Sequence, residues 1–252
     1  ASNFLKEVQG SKVQPIEPVF IDYNKDMDQF AWNKDVPVLY KQNTTNDLFY
    51  LRYIFEMGNN NDKKLGTAAQ YLRFLGTSDM TLEQLNSKFY GLAFFFNFYI
   101  TLSGLNENLP QAIELFEKIL ADAQPDKTAY DNMVKNILKS RTDAKLNQMQ
   151  NFIRLLTYAV YGKESATRNL LSTEELQNMN PSELTDRIHK LTSFKHRIMY
   201  YGPSSEQELT DVLNKYHKVP AQLQDIPAGK KFVMQPTPSN KVLIAPYEAK
   251  QI

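Results

Sequence analysis

Apolar positions along the chain change period several times, and each change marks an element. Val36-Pro-Val-Leu-Tyr40 and Asp47-Leu-Phe-Tyr-Leu-Arg-Tyr-Ile-Phe-Glu-Met57 are rich in aromatic and β-branched residues. The polar run Gln42-Asn-Thr-Thr-Asn46 between them carries turn chemistry, so a β-hairpin is expected. Within the longer strand Phe49, Leu51, Tyr53, Phe55 and Met57 form the more apolar face. From Lys64 the period lengthens: Leu65, Ala68, Ala69, Leu72 and Leu75 have helical spacing, and Thr81 to Leu85 predicts a further short helix.

Leu92-Ala-Phe-Phe-Phe-Asn-Phe-Tyr-Ile-Thr-Leu102 is too aromatic and branched for a good helix and reads as a buried strand. Leu109, Ile113, Phe116, Ile119 and Leu120 make one side of a helix that Pro125 closes. A long helical stretch from Lys127 to Tyr161 is expected to break near Thr142. Ser172-Thr-Glu-Glu175 and Asn180-Pro-Ser-Glu183 place a capping residue ahead of a first-turn glutamate, which predicts two short helices. Lys195 to Tyr201 reads as a strand stopped by Gly202-Pro203, and Ser205 to Tyr216 as a closing helix. This order of strands and helices is that of an α+β fold.

Four segments follow. Residues 1–29 read as a polar lead-in, in which Pro18-Val-Phe-Ile21 could lie extended against another element. Residues 30–217 form the α+β domain. Residues 218–240 carry prolines at 220, 227, 236 and 238 and read as an extended linker. Residues 241–252 have strand character and are expected to be the first strand of a following domain.

A chain of 252 residues with 42% hydrophobic and 23% charged residues can bury a core without staples. Its 29 Lys and Arg nearly balance 28 Asp and Glu, so no overall field favours nucleic acid as a partner. The absence of cysteine excludes disulfides and thiolate metal sites, and fits a bacterial cell envelope or periplasm as well as a cytoplasm. No apolar run approaches the length of a membrane span.

Catalytic motifs do not assemble. His189, His196 and His217 lack the one-turn spacing that puts two imidazoles on one helix face. His189 reads as solvated, His196 as structural or exposed, and His217 as a helix-terminal cation. Gly58, Gly66 and Gly76 are spaced as turn residues and not as a phosphate cradle. No serine lies in a nucleophile-elbow setting, and the Glu174-Glu175 pair belongs to a helix first turn.

The succession of phrases is itself informative. An aromatic hairpin leads through Gly58 to a helix ending in Phe74-Leu-Gly-Thr77, then to Phe94-Phe-Phe-Asn97 and Leu105-Asn-Glu-Asn-Leu-Pro-Gln-Ala-Ile113. Leu170-Leu-Ser-Thr-Glu-Glu-Leu176, Arg197-Ile-Met-Tyr-Tyr-Gly202 and Glu206-Gln-Glu-Leu209 complete it. From Pro37 to Tyr216 this order resembles one repeat unit of the pitrilysin/insulinase family of zinc metallopeptidases. The resemblance implies an antiparallel or mixed sheet packed on one face by helices, as in LuxS/MPP-like metallopeptidase units.

In active members the helix before Phe-x-Gly-Thr carries His-x-x-Glu-His, with a downstream glutamate as third zinc ligand. Counting back from Gly76-Thr77 puts those positions on Thr67, Gln70 and Tyr71, none of which offers an imidazole or a proton-accepting carboxylate. Asn132 to Thr142, where the third ligand would fall, contains no carboxylate. By resemblance this is a degenerate unit with no metal of its own, and zinc is expected in the catalytic half of a parent protein. Its partners would be that half, in the same polypeptide or another subunit, and a peptide substrate. Phe94, Phe96, Asn97 and Phe98 correspond to the strand that lines the cleft in active units. The alternative reading is a structural or assembly subunit of the same fold acting by protein-protein interaction.

Overall fold

The computed structural model describes residues 2–11, 16–33, 35–92, 95–97 and 101–247, with the backbone alone for 95–97. Helix α1 (Asn3–Gly10) precedes strands β1 (Asp28–Trp32), β2 (Val36–Gln42) and β3 (Leu48–Ile54). Helices α2 (Leu65–Leu72) and α3 (Leu82–Gly91), strands β4 (Phe95–Asn97) and β5 (Thr101–Leu105), and helices α4 (Leu109–Asp122), α5 (Lys127–Asp143) and α6 (Gln148–Tyr161) follow. Helices α7 (Thr173–Asn178) and α8 (Ser182–His189), strand β6 (Arg197–Gly202) and helix α9 (Glu206–Tyr216) complete the order.

The sheet runs β1-β2-β6-β3-β5-β4, all neighbours antiparallel except β2 with β6. The expected hairpin of the second and third strands therefore does not form, because β6 runs between them. Ile198 pairs with Val38 on one side and with Tyr53 on the other. Turn chemistry at 42–46 is real but local. Asn43 accepts from Thr45 N at 3.0 Å and donates to the Leu48 carbonyl at 3.1 Å, closing the loop on itself. Its own N–H goes to the Gly202 carbonyl at the end of β6, at 2.8 Å. The loop so spans two strand spacings, about 10 Å, which its five residues easily reach.

Alternation holds within each strand. Phe49, Leu51 and Tyr53 are buried, as are Val36, Val38 and Tyr40 of β2 and Ile198 and Tyr200 of β6. Against this face pack α4, through Leu109, Ile113, Phe116 and Leu120, and α9, through Leu209 and Leu213. Tyr40 and Tyr200 stack at 5.7 Å, with hydroxyls bonded to the Ser204 carbonyl and to Asn106 Oδ1. The opposite face stays open: Tyr50 and Tyr201 stack at 6.3 Å and remain more than a third exposed. The fold is thus the mixed α+β sheet with helices on one face.

Other expectations need correction. The lead-in contains α1, and β1 begins at Asp28 inside it; Asn33, with φ 47° in the left-handed region that asparagine tolerates, turns the chain into β2. The aromatic stretch from Leu92 to Leu102 is two strands and not one, β4 pairing antiparallel with β5; residues 93, 94 and 98–100 lie outside the described residues. Contacts with the sheet and helices continue past 217. Leu223 is buried, and Gln224 bridges the 193–195 segment through Lys195 N to its carbonyl at 2.9 Å. The proline-rich stretch is stitched down further on, by Lys230 N to the Asn60 carbonyl and Gln235 N to the Val160 carbonyl, both at 2.7 Å. Lys241 to Tyr247 joins no sheet among the described residues, and Val242 and Ile244 are exposed. Pro18 to Ile21 likewise stays outside the sheet and exposed, beside the open face.

Candidate functional site

Helix α2 carries the positions of the zinc motif. Its N-terminal approach is pinned by three ion pairs: Asp62 with Arg187 at 2.7 Å, Lys63 with Glu175 at 2.7 Å, and Lys64 with Glu183. Asn59 Oδ1 accepts from Gly66 N at 2.8 Å, so the loop after β3 caps the same end. At its other end Gly76 is packed so closely that an added Cβ would lie 2.4 Å from the Met80 carbonyl, and its own carbonyl accepts from Gln124 N. Gly76-Thr77 is therefore the point where the chain leaving α2 meets the end of α4.

On the helix, Thr67 is half-buried, Gln70 is exposed and Tyr71 is fully buried. Tyr71 donates its hydroxyl proton to the Asp126 carbonyl at 2.6 Å and accepts from Asp126 N at 2.7 Å. Its ring meets Tyr130 edge-on at 5.6 Å, and burial raises its pKa. The residue is committed to the α2–α5 junction, with its phenol neutral and both hydrogen-bonding functions used. The donor set at these three positions does not fit zinc: a threonine hydroxyl, an amide and an occupied phenol. Residues 132–142 lie in α5, where Met133 and Val134 are buried. Among the described residues no three His, Cys, Asp or Glu side chains gather in a metal-holding cluster.

Of the cleft-strand residues, Phe96 and Asn97 lie in β4, at one edge of the sheet, paired with Leu102 and Thr101. Phe94 and Phe98 lie outside the described residues.

Two further features come from the fold. A crevice of about 490 Å³ opens between the end of β3 and α2, its floor formed by Leu72, Leu120, Ile188 and Leu191 and its lining completed in part by Ala69, Arg52 and Arg73. The second is a buried polar chain. His196 Nδ1 lies 2.7 Å from the Phe194 carbonyl, His196 Nε2 lies 2.9 Å from His217 Nε2, and His217 Nδ1 lies 2.7 Å from Glu117 Oε1. A carbonyl only accepts, so His196 carries its proton on Nδ1. Burial, with His217 alongside adding to it, lowers the His196 pKa to about 4, so Nε2 is an acceptor and His217 Nε2–H donates to it. One proton must then lie between His217 Nδ1 and Glu117, as imidazolium with carboxylate or imidazole with carboxylic acid. The Trp32 ring lies tilted against His217 at 5.0 Å, and Phe55 stacks on His196 at 4.9 Å. The Tyr53 hydroxyl is buried beside Glu117 without a well-formed hydrogen bond, and burial, then the Glu117 charge, raises its pKa well above the usual value. The solvated reading of His189 is thereby corrected, since it is half-buried with Nε2 3.0 Å from the Ala123 carbonyl; His196 is buried, and His217 does end α9 but is buried against His196 and Glu117.

By sequence the chain matches no family model and no curated protein. By structure it is similar to the periplasmic protease PqqL from Escherichia coli, with a TM-score of 0.68 at 11% identity, over 91% of this chain and 29% of that one. A peptidase M16 inactive domain from Pseudomonas fluorescens matches with a TM-score of 0.64 at 15% identity, over 82% of this chain and 52% of that one. The first half of the Escherichia coli protease alone gives a TM-score of 0.59 at 13% identity, over 79% of this chain and 48% of that half. The fold is that of an M16 peptidase unit of the pitrilysin/insulinase type. The chain spans at most about half the length of each of these structures.

Proposed function

We propose that the chain is a non-catalytic unit of a two-half zinc metalloendopeptidase, helping to enclose and position a peptide substrate for a catalytic half. The observation that carries this reading is the state of α2 within an M16 fold. The position that would hold the second imidazole is Tyr71, a buried residue whose hydroxyl is bonded to both the carbonyl and the N–H of Asp126 at the start of α5. Such a helix supports the α2–α5 junction and has no group to activate water. The likeness to an M16 inactive domain is in keeping with this.

A catalytic half needs a surface to dock on, and α6 offers one. Met149, Phe152, Ile153 and Leu156 are each more than half exposed and follow the i, i+3, i+4, i+7 spacing of a single helix face. A stripe of that kind on a soluble unit is a contact surface awaiting a partner. The same surface serves the assembly reading, so peptide chemistry distinguishes the two only in the complete protein.

The test on the purified chain is hydrolysis of an unstructured, internally quenched fluorescent peptide in the presence of zinc. No cleavage is expected above the rate without protein. Cleavage abolished by a chelator would overturn the proposal.

A further inference from the structure

We propose that the crevice between β3 and α2 binds the C-terminal residue of a peptide, its apolar side chain on the crevice floor and its terminal carboxylate against Arg73. This inference rests on the reading of the chain as a peptide-positioning unit and gives that reading a place and a chemistry.

The crevice is separate from the motif positions. Leu65, Ala69, Leu72 and Arg73 line it from one side of α2, whereas Thr67, Gln70 and Tyr71 lie on another. Its volume of about 490 Å³ is within the range of small-ligand sites, and its floor is made of side chains that belong to the core. Charge complementarity selects what enters. The acids around the crevice are already neutralised: Asp62 by Arg187 at 2.7 Å and Glu56 by Arg197 at 2.9 Å. Lys63 and Lys64 are spent on Glu175 and Glu183. Among the described residues, the cation left over at the crevice is Arg73. Arg52 lies with Tyr50 on the open face of the sheet, donating to Thr101 Oγ1 at 3.0 Å, and Arg73 forms no ion pair among the described residues. An apolar floor beside an uncompensated guanidinium group fits an amphipathic carboxylate, and arginine is the side chain suited to gripping one bidentately. The C-terminal residue of a peptide is the form of that chemistry a peptide-positioning unit meets.

The experiment is an NMR titration of the whole chain with methyl-labelled Ile and Leu, using acetyl-Ala-Ala-Leu as the free acid, the same peptide as its amide, and decanoate. The free acid is expected to shift the methyls of Leu72, Ile188 and Leu191. Amidation and the Arg73→Gln substitution are each expected to weaken binding about tenfold, the loss of one charge-assisted pair. Ala69→Phe, which fills the crevice, is expected to abolish binding. Should that variant not fold, Arg73→Gln, at an exposed side chain, carries the test alone. The proposal is overturned if the free acid moves none of these methyls, if acid and amide bind equally, or if Arg73→Gln binds like the parent. Tighter binding of decanoate than of the peptide would also overturn it, assigning the crevice to a fatty acid. None of these failures touches the wider reading, which fails instead on zinc-dependent cleavage by the chain itself.

Discussion

Changing His196 to glutamine removes the titrating group of the buried chain and turns a structural observation into a pH profile. In the folded protein the His196 pKa is lowered from 6.5 to about 4, first by burial and then by the proximity of His217. In the unfolded chain the imidazole titrates at its ordinary value. Above pH 6.5 neither state binds a proton at this position, and the group contributes no pH dependence. As pH falls from 6.5 towards 4 the unfolded chain takes up a proton that the folded one refuses, so stability is lost across that window and levels off for this group below it. At about 1.4 kcal/mol per pH unit, the interval corresponds to roughly 3 kcal/mol. The geometry explains the refusal: a proton on His196 Nε2 would face the donating N–H of His217 2.9 Å away, with the aromatic rings of Phe55 and Tyr53 around it, and among the described residues the acceptor that His196 does reach, the Phe194 carbonyl, is already in use at Nδ1. Urea unfolding of the parent and the His196→Gln variant at intervals between pH 7.5 and pH 4 measures this directly. Carboxylates whose pKa values are lowered by their partners, such as Glu175 beside Lys63 and Asp122 beside Ser78, also cost stability in acid, but they do so in both proteins and cancel in the difference. The parent is expected to lose about 3 kcal/mol more than the variant over the window. Parallel curves, or a parent that gains stability as the pH falls, would refute the reasoning.

Two further substitutions test the packing around α2. Tyr71→Phe removes the acceptor of the Asp126 N–H, while the Asp126 carbonyl keeps Tyr130 N as donor, and is expected to destabilise the chain by about 0.5–1.5 kcal/mol in urea unfolding; a neutral result would mean that the hydroxyl is free to serve another role. Gly76→Ala drives a methyl to 2.4 Å from the Met80 carbonyl, a backbone atom that cannot swing away, and is expected to cost about 1–3 kcal/mol or to prevent accumulation of folded protein. Phe152→Asp with Leu156→Asp, both on the open stripe of α6, is expected to leave stability within about 0.5 kcal/mol by the same assay. A large loss there would show that the stripe is already covered within the chain.

What the sequence reveals and what it hides divides along locality. The buried face of β3, the apolar stripe of α4 and the starts of α7 and α9 are legible because each rests on neighbours within one or two turns. Ser172 with Glu175 and Ser205 with Glu208 form complete capping boxes. The break between α5 and α6 is legible near Thr142 for the same reason, with Asn147 capping the second helix through Gln150 N. The insertion of β6 between β2 and β3 is not legible, since pairing of Val38 with Ile198 joins strands far apart in the chain and the turn at Asn43 looks the same with or without a strand to straddle. Spacing likewise conceals the polar chain. Glu117 and His217 are 100 residues apart and His196 and His217 are 21, and only the packing of α4 and α9 onto one sheet face brings them together. Of the motif positions, the chemistry of Thr67, Gln70 and Tyr71 is readable as residue types; that Tyr71 faces the core and holds Asp126 is a property of the α2–α5 contact. The crevice had one readable signal, the apolar positions Leu65, Ala69 and Leu72 on one side of α2, but Arg73 gains meaning only once the neighbouring acids are seen to be paired.

The central proposition, a peptidase unit that has lost its metal, is tested most directly by zinc stoichiometry. Purified chain incubated with excess zinc, passed through a desalting column and analysed by atomic absorption is expected to retain none. One zinc per chain, released by a chelator and lost on substituting Gln70 or Tyr71, would contradict it.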